Sequence, residues 1–502
     1  MTSPTNKLTA KERMAIPRQG MPQRPGEVRN KDFQEVNLGL VEQAAMLEAR
    51  RCLQCKNAPC VSGCPVAVRI PEFLDFVAQG RFAQAAALLY LDNDLPALAG
   101  RVCPQEVQCE EKCVRGRGGE PVAVGHLERF IADWARQHRQ GQAAEPPPTD
   151  SGFRVAVVGS GPAGLTAAGQ LVKMGHKVTI FEAFHRPGGV LVYGIPEFRL
   201  PKAIVDAEVD RLRDSGVEIR CNVVIAKTYS LADLLGTEGF DAVFVAVGAG
   251  LPQFMRVPGE NLKGVYSANE YLTRVNLMGA GRLPSSDTPM RRGKLVAVIG
   301  GGNTAMDAVR TAKRLGAQRA MIVYRRGEAE MPARIEEIHH AKEEGIEFHF
   351  LAAPVKVLGD ASRCVAGLEC VKMELTDPGE DGRRKVKPID GSNFQVPCDT
   401  VIVAVGTNAN PLLTRSSAGL KLNKWGYIEI DADGMTSLPG VFAGGDIVRG
   451  AATVILAMGD GKTAAASIDR WLRNGKARQA APGDRISDRD SPNGRSSPPP
   501  AK

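Results

Sequence analysis

Three features are missing from this sequence, and each absence removes a class of function. No run of about 20 apolar residues occurs in the 502-residue chain, so no segment has the length of a membrane-crossing helix. Residues 1 to 30 hold no apolar stretch of the kind that marks a secretory leader, which argues against an oxidising compartment and a disulfide framework. A basic face for nucleic acid is missing too. The net charge is +8, but residues 1 to 30 carry six Lys or Arg against Glu12 and Glu27, and residues 476 to 502 carry six against Asp484, Asp488 and Asp490. The excess sits at the two ends and the body is close to neutral, whereas nucleic-acid binding needs its cations clustered on a folded element. The expectation is a soluble cytoplasmic protein with neither a membrane nor a nucleic-acid partner.

What is present is cysteine, concentrated at one end. Seven of the eleven lie in two groups, Cys52-x2-Cys55-x4-Cys60-x3-Cys64-Pro65 and Cys103-Pro104-x4-Cys109-x3-Cys113. Iron-sulfur clusters need thiolate ligands, and a series with two- to four-residue gaps ending in Cys-Pro is similar to the ferredoxin-type run, although the four-residue middle gap departs from it. Seven thiolates are one short of two four-ligand clusters. Either a non-cysteine ligand completes the second cluster, which is the preferred reading, or three thiols stay unused around a single cluster. Zinc is the competing metal, but structural zinc sites usually pair two short Cys clips, and the second group here is a triplet. Cys221, Cys364, Cys370 and Cys398 are scattered and read as packing residues.

At 43% hydrophobic composition the length suits about three domains. The basic start, residues 1 to 30, and the tail from 476, ending SPNGRSSPPPAK, read as disordered; the tail's few aliphatic residues cannot offset the entropy of ordering it. Gly141 to Thr149 (GQAAEPPPT) reads as a linker. Between them, PEFLDFVAQGRFAQAAALLYLDN gives two helical segments split at Gly80, and His126 to Gln137 place Leu127, Phe130, Ile131 and Trp134 on one helical face. Glu128 sits at the edge of that face. Its residue type alone suggests only a solvated carboxylate.

Next, RVAVVGSGPAGLTAAGQLVKMGHKVTIFEA runs strand, turn, helix, strand, with Gly159-x-Gly161-x-x-Gly164 in the turn and Glu182 at the end of the second strand. The glycines allow a tight turn and close backbone approach, the helix N-terminus attracts pyrophosphate, and the acid accepts ribose hydroxyls. A second copy, KLVAVIGGGNTAMDAVRTAKRLGAQRAMIVYRR, has Gly300-x-Gly302-x-x-Ala305 but ends in Arg325 and Arg326. An acid there would repel a 2′-phosphate and a guanidinium would bind it, so the expected nucleotide is NADPH. Two strand-to-glycine endings, Asp241 to Gly250 and Asp399 to Asn408, follow the cradles in turn, and GVFAGGDIVRGAATVILAMGDGKTAAASI then closes on Gly445 and Asp446. That order indicates a nicotinamide domain inserted into a flavin domain.

With these motifs in this order, from RCLQCKNAPCVSGCPV through GRVCPQEVQCEEKC, VGSGPAGL, YGIPEFRLPK and GGGNTAMD to AGGD, the chain resembles the small subunit of NADPH-dependent glutamate synthase. The likeness extends to the large subunit of NADH-dependent ferredoxin:NADP oxidoreductase and the N-terminal half of dihydropyrimidine dehydrogenase, and it covers about Val28 to Leu472. The resemblance implies an α/β fold: a helical iron-sulfur domain over 31–149, flavin-domain parts at 150–285 and 399–475, and an NADPH domain at 286–398. It implies two [4Fe-4S] clusters, one on Cys52, Cys55, Cys60 and Cys113, the other on Cys64, Cys103 and Cys109 with Glu128 as fourth ligand. The implied FAD site is Gly159, Gly161, Pro162, Ala163, Gly164, Glu182, Gly189, Arg199, Gly248, Gly445, Asp446 and Thr453; the implied NADPH site is Gly300, Gly302, Asn303, Thr304, Arg325 and Arg326. FAD would stand between a two-electron donor and one-electron carriers, with no catalytic side chain required. The implied partner is a glutamate synthase large subunit or another electron-accepting flavoprotein subunit in a hetero-oligomer. The sequence carries no N-terminal amidotransferase cysteine, no room for a further barrel and no Cys-x-x-Cys beside the flavin motifs. A bifurcating ferredoxin:NADP oxidoreductase or sulfide dehydrogenase is the alternative within this group; a zinc-bound, nucleotide-sensing interaction protein is the alternative of another class.

Overall fold

The computed structural model describes residues 8–138, 148–282, 284–378 and 384–475. Most of the expected linker, and all of the expected C-terminal tail, lie outside these residues.

Two parallel five-stranded sheets form the body. In the first, the order is Val441–Ala443, Ala242–Val245, Arg154–Val158, Lys177–Phe181, Glu218–Arg220. In the second it is Val265–Ser267, Thr400–Val403, Leu295–Ile299, Arg319–Tyr324, Glu347–Phe350. The central strands are apolar at nearly every position because helices cover both faces. Each sheet turns at its glycine motif into a helix, Pro162–Lys173 in the first and Asn303–Arg314 in the second.

The nesting moves two expected boundaries. Val265–Ser267 and Thr400–Val403, assigned above to the flavin parts, both pair inside the nicotinamide sheet. The chain crosses between domains at Leu251–Pro252 and Thr407–Asn408, which pair with each other as a short antiparallel ladder. The inserted domain therefore runs from about Gln253 to Gly406. It also carries an antiparallel sheet built on Ala352–Gly359 and the long strand Val365–Pro378.

The N-terminal domain is helical, with Glu42–Arg50, Ile70–Ala78, Phe82–Asp92, Pro96–Val102 and Val124–Gln137 as its main elements. Gly80, at φ +71°, breaks Ile70–Ala78 from Phe82–Asp92, a conformation cheap only for glycine. One apolar core runs from this domain into the flavin sheet, linking Phe73, Leu98 and Leu127 with Leu165, Met458 and Ile468. The nicotinamide domain has cores of its own.

Residues 8 to 30, expected to be disordered, instead form a strap. Thr9 and Glu12 cap the helix Ala10–Ala15 reciprocally. Arg13 donates to the Cys52 carbonyl at 2.6 Å, Arg18 pairs with Glu110 at 2.8 Å, and Arg29, buried, pairs with Glu343 at 2.6 Å and Glu344 at 3.0 Å. Composition showed unbalanced cations; their partners lie up to 315 residues away in the chain.

Candidate electron-transfer site

The seven clustered thiols separate into two groups in space. Cys52, Cys55, Cys60 and Cys113 line one small cavity together with Pro59 and Val122. Burial pushes Cys52 up to about 11 and Cys60 up to about 12, and the neighbouring thiols of this group add to both. In the second group, burial raises Cys64, Cys103 and Cys109, and the Glu128 carboxylate raises all three further. Among the described residues no group of three or more His, Cys, Asp or Glu side chains stands close enough to hold a single metal ion. Thiols held this far above neutral stay protonated unless a metal takes the proton's place. The donor sets, four thiols in one group and three thiols with Glu128 in the other, fit iron-sulfur clusters.

Glu128 is not on a solvated edge. Helix Val124–Gln137 buries it beside Cys103, and burial pushes its carboxyl up to about 8, against a 2.6 Å hydrogen bond from Asn93 Nδ2.

The first cradle is built by close approach. Gly159, at φ +102°, leaves no room for a Cβ, which would stand 2.6 Å from the Ala246 carbonyl. A Cβ on Gly164 would collide with the Gly159 carbonyl, so the helix can pack on the strand only with glycine there. Gly161 differs: a Cβ there meets nothing within 4 Å, and the same holds for Gly248. That open space faces a helix start, at Pro162 and Ala163, that no side chain caps, which suits a pyrophosphate. Gly189, at φ +54°, folds over Gly161. The Glu182 carboxylate accepts from the Ser160 hydroxyl and amide and from the Phe184 amide at 2.8 Å.

Gly445, at φ +77°, sits against Ala163 and donates its N–H to Asp460 at 2.9 Å. Burial pushes Asp446 up to about 6. A short helix, Asp446–Arg449, follows the turn, and the long helix Val454–Arg473 comes after it, capped by the Thr453 hydroxyl, which accepts from Leu456 N at 3.3 Å. Thus Gly159 to Gly164, Gly189 and Gly445 stand together at one cradle, and Asp446 and Thr453 begin the chain segments that lead away from it. Arg199 is engaged elsewhere. Its guanidinium is buried between Asp307 at 2.8 Å and Glu337 at 3.0 Å of the nicotinamide domain.

In the second cradle, Gly300 at φ +143° presses on the Ala404 carbonyl, and Gly302 opens the uncapped helix Asn303–Arg314. Asn303 accepts from Arg334 N at 3.0 Å, fixing the neighbouring loop, while Thr304 is exposed at the helix start. Arg325 and Arg326 follow the strand Arg319–Tyr324; Arg325 is exposed, and Arg326 has a buried Nε with no hydrogen-bond partner among the described residues. An unpartnered guanidinium beside this cradle fits a 2′-phosphate.

Sequence reasoning missed the contacts that join the cofactor sites, because no motif marks them. Helix Val454–Arg473 runs from the Gly-Asp turn to the cysteine domain. A Cβ on Gly459 would stand 2.9 Å from the Pro65 carbonyl, and Lys462 Nζ donates to the Val66 and Asp92 carbonyls at 2.7 Å each. A second set of contacts is ionic. Glu344, fully buried, accepts from Arg29, Arg310 and Arg314, and Phe198 lies under both Arg310 and Arg314. With Arg199, these residues lock strap, flavin domain and nicotinamide domain together.

Two nested dinucleotide folds joined to a thiol-rich helical domain define a pyridine-nucleotide-dependent iron-sulfur flavoprotein. Comparison with known proteins makes the assignment narrower. Residues 29–140 match the family described as dihydropyrimidine dehydrogenase domain II, 4Fe-4S cluster, and residues 153–461 match pyridine nucleotide-disulphide oxidoreductase. The first match decides against the zinc reading. The glutamate synthase [NADPH] small chain of Azospirillum brasilense is 38% identical over 92% of this chain and 96% of its own. The NADP(+)-dependent formate dehydrogenase subunit beta of Moorella thermoacetica is 39% identical over 84% of this chain, which spans only 60% of that relative's length. Mycobacterium tuberculosis FprA in complex with NADPH shares the fold, with a TM-score of 0.55 at 21% identity over 66% of this chain and 87% of its own. The chain belongs to the pyridine nucleotide-disulphide oxidoreductases, in the group of the glutamate synthase small chains. It is an NADPH-dependent oxidoreductase of the FAD and 4Fe-4S type.

Proposed function

We propose that this chain is the NADPH-oxidising subunit of a glutamate synthase, supplying electrons to a large-subunit partner in a cytoplasmic hetero-oligomer. The observation that carries this reading is the single helix, Val454–Arg473, that starts beside the flavin cradle and ends its first two turns against Pro65, next to Cys64. A bound FAD would supply the conversion between two-electron hydride chemistry and one-electron transfer. The chain's part is orientation. Arg325 and Arg326 hold the 2′-phosphate, Gly302 to Thr304 the pyrophosphate of NADPH, and Gly159 to Gly164 with Glu182 the FAD. Asp446 and the helix capped by Thr453 would stabilise negative charge on a flavin held in this cradle, as a helix N-terminus does. Arg199 contributes by holding the two nucleotide domains in register.

Cys64, Cys103 and Cys109, with Glu128 as fourth ligand, form the cluster site on the flavin side. Cys52, Cys55, Cys60 and Cys113 form the outer one, where Cys55 and Cys113 are partly exposed, and this face docks the partner. No helix among the described residues is long and apolar enough to cross a membrane. The test is co-purification from the native host, then NADPH-dependent glutamate formation on mixing the chain with the large subunit it retains. A stable complex with a formate dehydrogenase subunit or a small flavoprotein, and no glutamate formed, overturns the assignment of partner.

A further inference from the structure

Residues Asp92 to Leu95, between helices Phe82–Asp92 and Pro96–Val102, form a loop that is tied on every side. The Asp92 carboxylate takes Arg69 at 2.9 Å and its carbonyl takes Lys462 at 2.7 Å. The Asp94 carboxylate takes Gln170 at 2.6 Å and Lys173 at 2.8 Å, both from the helix that follows the flavin turn. Asn93, between them, is 1% exposed. Its Oδ1 accepts from Leu95 N at 2.9 Å, which fixes the orientation of the amide, and its Nδ2 donates to Glu128 Oε1 at 2.6 Å. Among the described residues Glu128 has no second hydrogen-bond partner, so Oε2 is left for something else. A carboxylate oxygen that no donor reaches is free to take a cation.

We propose that Asn93 is a positioning residue for the flavin-side cluster: it holds Glu128 Oε1 so that Oε2 alone faces the iron, and it draws charge from the carboxylate. The proposal rests on the reading of Glu128 as a ligand. A ligand made less donating by a hydrogen bond favours the reduced cluster, as hydrogen bonds around a cluster do generally. The rigid tethering of Asp92 and Asp94 is what keeps Asn93 from following Glu128 if the carboxylate turns.

The experiment uses anaerobically prepared holoenzyme carrying Asn93→Ala, Asn93→Asp, Glu128→Ala, Glu128→Cys, or Glu128→Cys combined with either Asn93 change. The readouts are iron and sulfide content and the midpoint of each cluster by redox titration followed by electron paramagnetic resonance. Asn93→Asp keeps the shape and the bond from Leu95 N, removes the amide donor and adds a charge, so where Asn93→Ala fails to assemble it is read as the difference between the native and Glu128→Cys backgrounds, in which the effect of the added charge cancels. Expected is a fall in the reduction equilibrium of the flavin-side cluster of about tenfold, or about 59 mV for a one-electron couple, with flavin content and the outer cluster unchanged. In the Glu128→Cys background a thiolate presents no oxygen for the amide to hold, and the same changes should move the midpoint far less. Equal shifts in both backgrounds, or none in the native one, overturn the proposal while leaving Glu128 as a ligand if Glu128→Cys itself moves the midpoint. If Glu128→Cys and Glu128→Ala alter neither cluster, the ligand assignment falls first and the proposal with it.

Discussion

Replacing Arg325 and Arg326 together by alanine separates phosphate recognition from everything else the nicotinamide domain does. Arg325 is exposed, and Arg326 keeps a buried Nε without a hydrogen-bond partner among the described residues. Nothing in that surrounding competes for the pair, so removing it should change stability by less than about 0.5 kcal/mol. Against a 2′-phosphate the sum is different. A hydrogen bond to a charged group contributes about 1.5–3 kcal/mol, reduced by solvent at an exposed position. About 1 kcal/mol from Arg325 and about 2 kcal/mol from Arg326 give roughly a hundredfold in affinity. The assay is steady-state oxidation of NADPH and of NADH with an artificial electron acceptor, which needs no partner subunit. KM for NADPH should rise about a hundredfold while that for NADH stays within about twofold. Arg326→Ala alone should account for most of the change, and the share from Arg325 should shrink with added salt. An unchanged preference, or an equal loss for both nucleotides, would refute the assignment.

Two glycines of one turn should fail differently: Gly161→Ala should fold with normal Tm and lose FAD absorbance, whereas Gly164→Ala, blocked by the Gly159 carbonyl, should lower Tm as well. Gly459→Ala should push the Cys64 loop off the flavin-side helix; NADPH oxidation with an artificial acceptor should persist while electron delivery to the large subunit slows, and equal rates for both would contradict the proposed path. Burial alone would raise Glu337, but Arg199 and Arg310 outweigh it and hold the carboxyl down to about 2. Its contribution to stability is thus complete above the unfolded value of about 4.3 and is lost as pH falls from there toward 2. Glu337→Gln should cost about 3–5 kcal/mol near neutrality, and the gap from wild type in denaturant midpoints should narrow in acid over that window.

Both cradles could be read from the chain because their information is local: a strand, three small residues and a helix lie within about 30 positions. The helices flanking Gly80 were legible for the same reason. The domain boundaries were not, since DAVFVAVGAG and DTVIVAVGTN end alike, and only pairing shows that Thr400–Val403 completes the nicotinamide sheet. The ion pairs of Arg199 were not legible because its partners, Asp307 and Glu337, lie more than a hundred positions away. Asn93 and Lys462 carried no signal at all. An asparagine in a loop and a lysine on a helix gain meaning only from what the fold sets beside them.

The arginine at position 29 gives the leader of this protein an unexpected practical weight. A truncation planned from composition would begin the chain after the basic opening residues, and would strip from Glu344 one of its three cationic neighbours. It would also remove the arginine that grips the backbone of the first cluster cysteine. Affinity tags and shortened variants should therefore spare everything from Thr9 onward, or the nucleotide lobe and the metal lobe will each lose a fastening at once.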